Sequence, residues 1–218
     1  MSVPARPPTE AQLRRDLVEV CQRLHARDLI GAGEGNVSCR LGGRKLLVTP
    51  SGASKGHLRT TDLVVVTEGG EKVRGKGRAS TELRMHLAAY AARPDVRAIV
   101  HAHPISAVAL TVAGAPPPND VMPEAAVVLG QIVVAPFSTP GTDEVPRALA
   151  PFLPGHEVIL LERHGALALG RTLFEALDRL ETLERVSRVA VVARLLGRCE
   201  PLGAEAVAKV LAAAGVVR

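Results

Sequence analysis

The segment from Val96 to Pro104 reads Val-Arg-Ala-Ile-Val-His-Ala-His-Pro, so His101 and His103 stand two residues apart at the end of an apolar run. Such a run is typical of a buried strand. Side chains at positions i and i+2 of a strand point to the same face of the sheet. We therefore expect the two imidazoles to converge on one side of a sheet, close enough to share a metal ion.

A third histidine, His164, follows another apolar segment and precedes Gly165, which allows the backbone to turn. Three imidazoles with an open fourth position form a common catalytic zinc site. The three histidines therefore predict one Zn²⁺ ion per subunit, and a site of this composition also suits Mn²⁺, Co²⁺ or Fe²⁺. The alternative is that they are structural histidines with partners of their own.

The composition excludes several classes of partner. Of 218 residues, 47% are hydrophobic and only 2% are aromatic, so base stacking on single-stranded nucleic acid is not expected. The formal net charge is +5, but no basic run marks a nucleic-acid surface. We assign the charge instead to a small anionic substrate such as a phosphate ester.

The length fits one domain, predicted over residues 9–218 after a flexible, proline-rich lead at 1–8. The three cysteines, Cys21, Cys39 and Cys199, are odd in number and lack CxxC spacing, which is typical of a reducing compartment. Neither a signal-peptide core nor an apolar run of roughly 20 residues is present. The sequence predicts a cytoplasmic protein without membrane partners.

The order of elements predicts an α/β fold. Short strands come first, and helices and strands then mix until a long helix that starts at the capping box Thr172–Glu175. This order favours a largely antiparallel sheet covered by helices over a doubly wound nucleotide-binding fold.

Glu82 is the candidate acid/base. It is predicted in the first turn of a helix, directly after two hydroxyl residues. The alternative is that it only stabilises the positive end of the helix dipole. His86 lies four residues further on the same helix face, where it could join Glu82 in holding a metal or contact it from behind.

Three short segments offer backbone N–H and hydroxyl groups to an anion. The one at 80–81 also precedes a helix, whose free N–H groups favour phosphate. The alternative is that they are only turns. The candidate phosphate-binding residues are Gly35, Asn36, Ser51, Gly52, Ser80 and Thr81.

The segments discussed above, together with the sequence around them, occur in the same order in one known protein family. The stretches are GEGNVSCR (33–40), TPSG (49–52), STELRMHLAAY (80–90), VHAHP (100–104), APFSTPGT (135–142) and LERHGALALG (161–170). By them the chain resembles the class II aldolase/adducin family over nearly its whole length. The resemblance implies a three-layer α/β/α sandwich around a mainly antiparallel sheet, and a homotetramer with active sites at subunit interfaces.

The resemblance also implies roles for the residues. His101, His103 and His164 match the zinc ligands, and Glu82 matches an acid/base that also approaches the metal. The six residues of the three short segments match the phosphate cradle. The implied reaction is cleavage of a ketose 1-phosphate, by default L-fuculose 1-phosphate, through a metal-stabilised enediolate. Its products are dihydroxyacetone phosphate and a short aldehyde such as lactaldehyde.

Other activities share this pattern: a methylthioribulose-1-phosphate dehydratase, a pentulose-phosphate 4-epimerase and a non-catalytic, adducin-like interaction module. A zinc hydrolase explains the histidines but not the anion-binding segments. The epimerases carry Asp in place of Glu82 and an acid near Ala126, which favours the aldolase. The aldolases use tyrosines near 119–123 and in the C-terminal tail, whereas the single tyrosine here is Tyr90. The group that protonates the aldehyde oxygen is therefore unassigned.

Overall fold

The structure is a computed structural model that describes residues 7–216. The mixture of strands and helices, with a long helix that begins after Thr172, agrees with the sequence prediction. The helices are α1 (Glu10–Ala26), α2 (Leu83–Ala92), α3 (Ile105–Val112), α4 (Glu144–Leu149), α5 (Leu173–Leu195) and α6 (Ala204–Ala213). The strands are β1 (Asn36–Leu41), β2 (Lys45–Val48), β3 (Val64–Thr67), β4 (Lys72–Arg74), β5 (Ala98–Ala102), β6 (Val133–Ala135), β7 (Val158–Leu161) and β8 (Gly165–Gly170).

The strands form one eight-stranded sheet in the order β4-β3-β2-β1-β5-β8-β7-β6. Neighbouring strands are antiparallel except β6 and β7, which are parallel. This confirms the predicted, mainly antiparallel sheet. β5 lies near the middle of the sheet, between β1 and β8.

Helices cover both faces of the sheet. Alternate strand residues such as Val100 pack with α1 and α5, whereas Ile99 packs with residues of α2 and α4. Each face therefore has its own apolar core, as the period of two along a strand requires. The arrangement confirms the three-layer sandwich.

The register of β5 positions the site. His101 lies opposite Asn36 of β1 on one side and Leu167 of β8 on the other. Residues directly opposite each other in an antiparallel pair share a face. His101 and Asn36 therefore both point toward α2.

Three details differ from the sequence prediction. Glu82 is the residue before α2 rather than part of its first turn. The sequence also predicts helices over 142–152 and near 123–129; the first is limited to Glu144–Leu149, and the second is present but ends in the π-helical turn Ala125–Leu129. Pro146 lies in the first turn of α4 and keeps residue 142 out of the helix, because its ring would clash with the carbonyl four residues earlier.

Residues 1–6 of the predicted lead lie outside the described residues, and the single-domain boundary at residue 9 stays a prediction. Within 7–216, no helix has both the length and the apolar character needed to cross a bilayer.

Candidate metal centre and active site

The three predicted histidines meet at one end of the sheet. His101 is in β5, His103 follows its end, and His164 precedes β8. Their ring centroids are 4.9–5.0 Å apart, and one ring nitrogen from each lies within 4.8 Å of the others. The expected convergence of His101 and His103 is confirmed, because their Nε2 atoms are 3.1 Å apart.

The orientation of His101 is fixed from behind. Its Nδ1 lies 3.0 Å from the carbonyl oxygen of Ala166, which can only accept a hydrogen bond. Nδ1 therefore carries the hydrogen, and Nε2 presents a lone pair to the centre. Metal-binding histidines are commonly held by such a second hydrogen bond.

The turn before β8 brings His164 to the other two rings. Arg163 has φ of 57°, a left-handed conformation that is uncommon for arginine, and its N–H donates to Thr111 Oγ1 at 3.0 Å. A side chain at Gly165 would place its Cβ 2.5 Å from the carbonyl oxygen of Ala102 and 2.8 Å from His103. Only glycine fits this position, since the rings pack directly on its backbone.

Glu82 faces the histidines. Its Oε2 is 3.3 Å from His101 Nε2 and its Oε1 is 3.2 Å from His164 Nε2. Asn36 Nδ2 donates to Oε2 at 2.8 Å. Oε1 is buried and has no partner in hydrogen-bonding geometry among the described residues. Its side chain makes no capping bond to α2, so the carboxylate is directed to the site and not to the helix end.

The electrostatics of the site favour an ionised carboxylate. Burial raises the pKa of the Glu82 carboxyl, but the imidazoles of His101 and His164 that face it outweigh burial and hold this pKa well below its usual range. Burial and the nearby imidazoles lower the pKa of His103 to about 4. At neutral pH His103 therefore keeps the lone pair that a metal ligand needs.

This arrangement fits a divalent metal ion. Three imidazole nitrogens and a buried carboxylate oxygen without a partner converge on one point, a donor set typical of Zn²⁺ and similar metals. His86 is not part of it. It is buried on the far side of Asn36, whose Oδ1 lies 2.5 Å from His86 Nε2.

The segments predicted to bind phosphate lie together around Glu82. Ser51 N–H donates to the carbonyl of Arg78, and Ser80 N–H donates to that of Thr49. A Cβ at Gly33 would lie 3.9 Å from the carbonyl oxygen of Gly52, so the first segment adjoins the second. Ser80 Oγ accepts from the N–H of Glu82 at 3.2 Å.

The remaining cradle residues differ in access. Gly35 is buried at φ of 65°, and a Cβ there would lie 2.6 Å from Ile30. Thr81 is exposed. Asn36 is buried, and its side chain bonds Glu82 and His86 rather than open space.

Sequence reasoning missed Lys55, which is 2% exposed and donates to the carbonyl of Gly33 at 2.8 Å. Burial lowers the pKa of its ammonium group. Through this hydrogen bond the lysine stabilises the loop that contains Gly33, which is the first of the three predicted phosphate-binding segments. No sequence pattern indicated it, because the contact joins two loops 22 positions apart.

A groove of about 770 Å³ opens beside His103 and His164. One wall is the apolar face of α3, where Ile105 is 60% exposed. The other wall includes Glu34, whose Oε2 is 3.7 Å from His103 Nδ1. The groove gives a small molecule access to the metal centre.

Comparisons with known proteins agree with this geometry. Residues 15–191 match the family model described as Class II Aldolase and Adducin N-terminal domain. A 5-methylthioribulose-1-phosphate/5-deoxyribulose-1-phosphate aldolase of Rhodospirillum rubrum is 33% identical, covering 83% of this chain and 81% of the relative. A 3-oxo-tetronate 4-phosphate decarboxylase of Escherichia coli O6:H1 is 29% identical, covering 84% of this chain and 88% of the relative.

A solved structure supports the same conclusion. The L-fuculose-1-phosphate aldolase of Thermus thermophilus has a TM-score of 0.77 and 33% identity, covering 88% of this chain and 100% of that chain. Because the family model spans most of the chain, the protein belongs to the class II aldolase and adducin family.

Proposed function

We propose that the protein is a zinc-dependent aldolase that cleaves a ketose 1-phosphate, by default L-fuculose 1-phosphate, into dihydroxyacetone phosphate and lactaldehyde. Family membership and the histidine triad already make it a metal-dependent sugar-phosphate enzyme. The proposal adds the metal, the reaction and the substrate. The observation that carries it is the buried oxygen of Glu82, which has no hydrogen-bond partner among the described residues and faces three imidazoles beside the loops predicted to bind phosphate.

His101, His103 and His164 would hold the metal, with Glu82 approaching it before substrate enters. A zinc ion held there would act as a Lewis acid, stabilising negative charge that develops on the substrate oxygens by several kcal/mol.

Glu82 would move a proton on and off carbon. In the cleavage direction the C3–C4 bond breaks, the aldehyde leaves with C4, and C3 of the ketone product takes a proton. The oxygen that faces the site is free to carry that proton, because Asn36 holds the other oxygen. A positioned carboxylate of this kind contributes about 10²–10⁴-fold to rate.

The loop cluster would hold the phosphate. The N–H groups of Ser51 and Ser80 bond the carbonyls of Arg78 and Thr49, so the donors left for a phosphate are the hydroxyls of these two serines and the N–H of Gly52. Gly35 brings the first loop close. The buried ammonium of Lys55 adds positive charge behind that loop. Hydrogen bonds to a charged phosphate are worth more than neutral ones.

The groove favours a neutral, apolar end on the substrate. Its α3 wall presents Ile105, Val108 and Val112, and its charged groups include the acids Asp28 and Glu34. An alkyl or methylthio group fits such a surface, whereas a carboxylate would meet like charge. This supports an aldolase over a decarboxylase of a sugar acid.

Tyr90 is not placed to give a proton to the aldehyde oxygen or to take one from it. The residue is 3% exposed, and its hydroxyl lies 2.9 Å from Ser38 Oγ in the core. Since the chain has one tyrosine, the proton of that oxygen is exchanged by another group or by water.

The strongest second candidate is dehydration of methylthioribulose 1-phosphate, because the apolar groove suits a methylthio group equally well. For either reaction we propose a cytoplasmic homotetramer with the groove at a subunit interface. The exposed apolar residues Ile105 and Val112 at the groove support that placement.

Product analysis separates the reactions. The zinc-loaded protein would be incubated separately with L-fuculose 1-phosphate, methylthioribulose 1-phosphate and 3-oxo-tetronate 4-phosphate, and phosphorus NMR would follow the products. The proposal expects dihydroxyacetone phosphate from the first. Loss of water from the second without a triose phosphate would support the dehydratase, and release of carbon dioxide from the third would contradict the aldolase.

A further inference from the structure

Behind Glu82, side chains of β1 and α2 form an unbroken chain of hydrogen bonds. Tyr90 Oη lies 2.9 Å from Ser38 Oγ, which lies 2.6 Å from His86 Nδ1. His86 Nε2 lies 2.5 Å from Asn36 Oδ1, and Asn36 Nδ2 donates to Glu82 at 2.8 Å. The four residues behind the carboxylate are at most 3% exposed. We call these five residues the α2–β1 ladder.

The ladder follows from two matching repeats. Glu82, His86 and Tyr90 are spaced four apart along one helix face, a step of about 6 Å. Asn36 and Ser38 are spaced two apart on one strand face, a step of about 6.6 Å. Each strand side chain therefore fits between two successive helix side chains, and the contacts alternate between helix and strand.

In every hydrogen bond of the ladder, the donor is the residue nearer Tyr90 and the acceptor is the residue nearer Glu82. The Asn36 oxygen can only accept, so His86 Nε2 must carry a hydrogen. Burial lowers the pKa of His86 to about 3, so the ring is neutral and Nδ1 accepts from the Ser38 hydroxyl. The Ser38 oxygen then accepts from Tyr90, whose pKa burial raises. The amide of Asn36 is thus fixed with its NH₂ group on Glu82.

Fold stability alone does not require such an arrangement. Four buried polar side chains cost desolvation that an apolar core at the same place would avoid. A fully satisfied buried network instead specifies one arrangement of its members. Here the member that reaches the active site is a carboxylate with one bonded and one free oxygen.

We infer that the α2–β1 ladder positions Glu82. His86, Ser38 and Tyr90 hold the Asn36 amide in one orientation, so that it binds one carboxylate oxygen and leaves the other facing the histidines. The inference rests on the proposed role of Glu82 as the acid/base. His86, Ser38 and Tyr90 are positioning residues, since none of them reaches the groove.

The test compares wild type with Ser38→Ala, which removes the donor to His86 and leaves the carboxylate and histidines unchanged. Protein labelled with ¹⁵N-histidine would be studied at neutral pH without substrate by long-range ¹H–¹⁵N NMR, with His86 assigned from a His86→Gln variant. Zinc content, kcat and KM would be measured on the same samples. Ser187→Ala is the matched control, because Ser187 is equally buried but bonds within α5 to Leu183.

The inference expects His86 to carry its hydrogen on Nε2 in wild type and in Ser187→Ala. In Ser38→Ala, Nδ1 has lost its donor, so the Asn36 amide is free to turn over and a population of the other His86 tautomer should appear. It expects kcat of Ser38→Ala to fall on the order of 10-fold, with KM and zinc content unchanged. If Ser38→Ala does not fold, Tyr90→Phe removes only a terminal hydroxyl and should show a smaller shift in the same direction.

A wild-type His86 protonated on Nδ1 would overturn the inference, as would an unchanged kcat in Ser38→Ala or an equal loss in Ser187→Ala. Wild-type protein that cleaves no ketose phosphate would count against the proposed function alone, because the tautomer is measured without substrate.

Discussion

The three-histidine centre and the adjoining groove are built on different kinds of backbone. The centre lies on the ends of β5 and β8, which pair residue by residue in the middle of the sheet, and Gly165 packs against its rings. The groove is formed by a loop carrying Glu34 and by an exposed face of α3. On the proposed function, the strand ends would set the class of reaction, and the loop and helix face would set which substrate fits.

This difference has a physical basis. A strand in mid-sheet is held by hydrogen bonds on both sides, so its end residues keep their directions when neighbouring side chains change. Exposed helix positions such as Ile105 and Val112 accept substitution at little cost to folding. We therefore expect changes at the centre to abolish chemistry and changes around it to alter binding.

The largest expected effect is at the centre. His101→Ala should lose both bound zinc and activity, a fall of at least about 10²-fold, because the Lewis acid is lost with its ligand. Zinc content by mass spectrometry and cleavage rates would measure it. His156→Ala is the control, since that histidine bonds the carbonyl of Phe152 away from the centre. Wild-type zinc stoichiometry in His101→Ala would refute the ligand assignment.

Glu82→Gln separates the metal from the proton transfer. The amide cannot act as a base, so proton exchange on dihydroxyacetone phosphate should slow by about 10²-fold or more while zinc stays bound. Deuterium incorporation by NMR would report the rate. Normal exchange in this variant would exclude Glu82 as the acid/base.

Ser80→Ala tests the loop side of the comparison. Loss of one hydrogen bond to a charged phosphate should raise KM about 10-fold for the phosphorylated substrate, and much less for a phosphate-free analogue. Ser54→Ala is the control in a neighbouring loop, because Ser54 makes no side-chain capping bond. Equal effects of Ser80→Ala on the two substrates would argue against the cradle.

The smallest expected effect is on stability at the turn before β8. Arg163 adopts a left-handed conformation that asparagine tolerates better. Arg163→Asn should therefore raise the free energy of unfolding by about 1 kcal/mol, measured by denaturant titration. Alanine does not adopt the left-handed conformation more easily than arginine, so Arg163→Ala should leave the free energy of unfolding unchanged. A matching gain in both variants would show that the arginine side chain, and not the backbone, is responsible.

The sequence predicted the elements and the meeting of the histidines well, because the strands and helices follow from local periodicity. The pair His101 and His103 could be placed on one face from the strand repeat alone. The approach of His164 depends on the pairing of β5 with β8, which joins distant parts of the chain. His164 was a candidate from its place after an apolar segment, and the family resemblance implied the same role, but neither could show that β5 and β8 pair.

Features that depend on packing between distant elements were not predictable. The interleaving of Asn36 and Ser38 with residues of α2 requires knowing that α2 lies on β1. Nothing in the sequence indicated the roles of Lys55 and of the apolar face of α3. A lysine in a loop and apolar residues on an exposed helix face are common in any protein, and only the packing of distant segments brings them to the site. Glu82 was placed one position too far into its helix, because the hydroxyl residues before it resemble a cap.

The most direct test of the central claim is proton exchange on dihydroxyacetone phosphate in D₂O, with zinc-loaded protein and again after chelation. No aldehyde is present, so the measurement isolates the histidine centre and Glu82 from the groove. The account predicts exchange that chelation abolishes and zinc restores. No exchange at full zinc occupancy would contradict it and would favour the dehydratase.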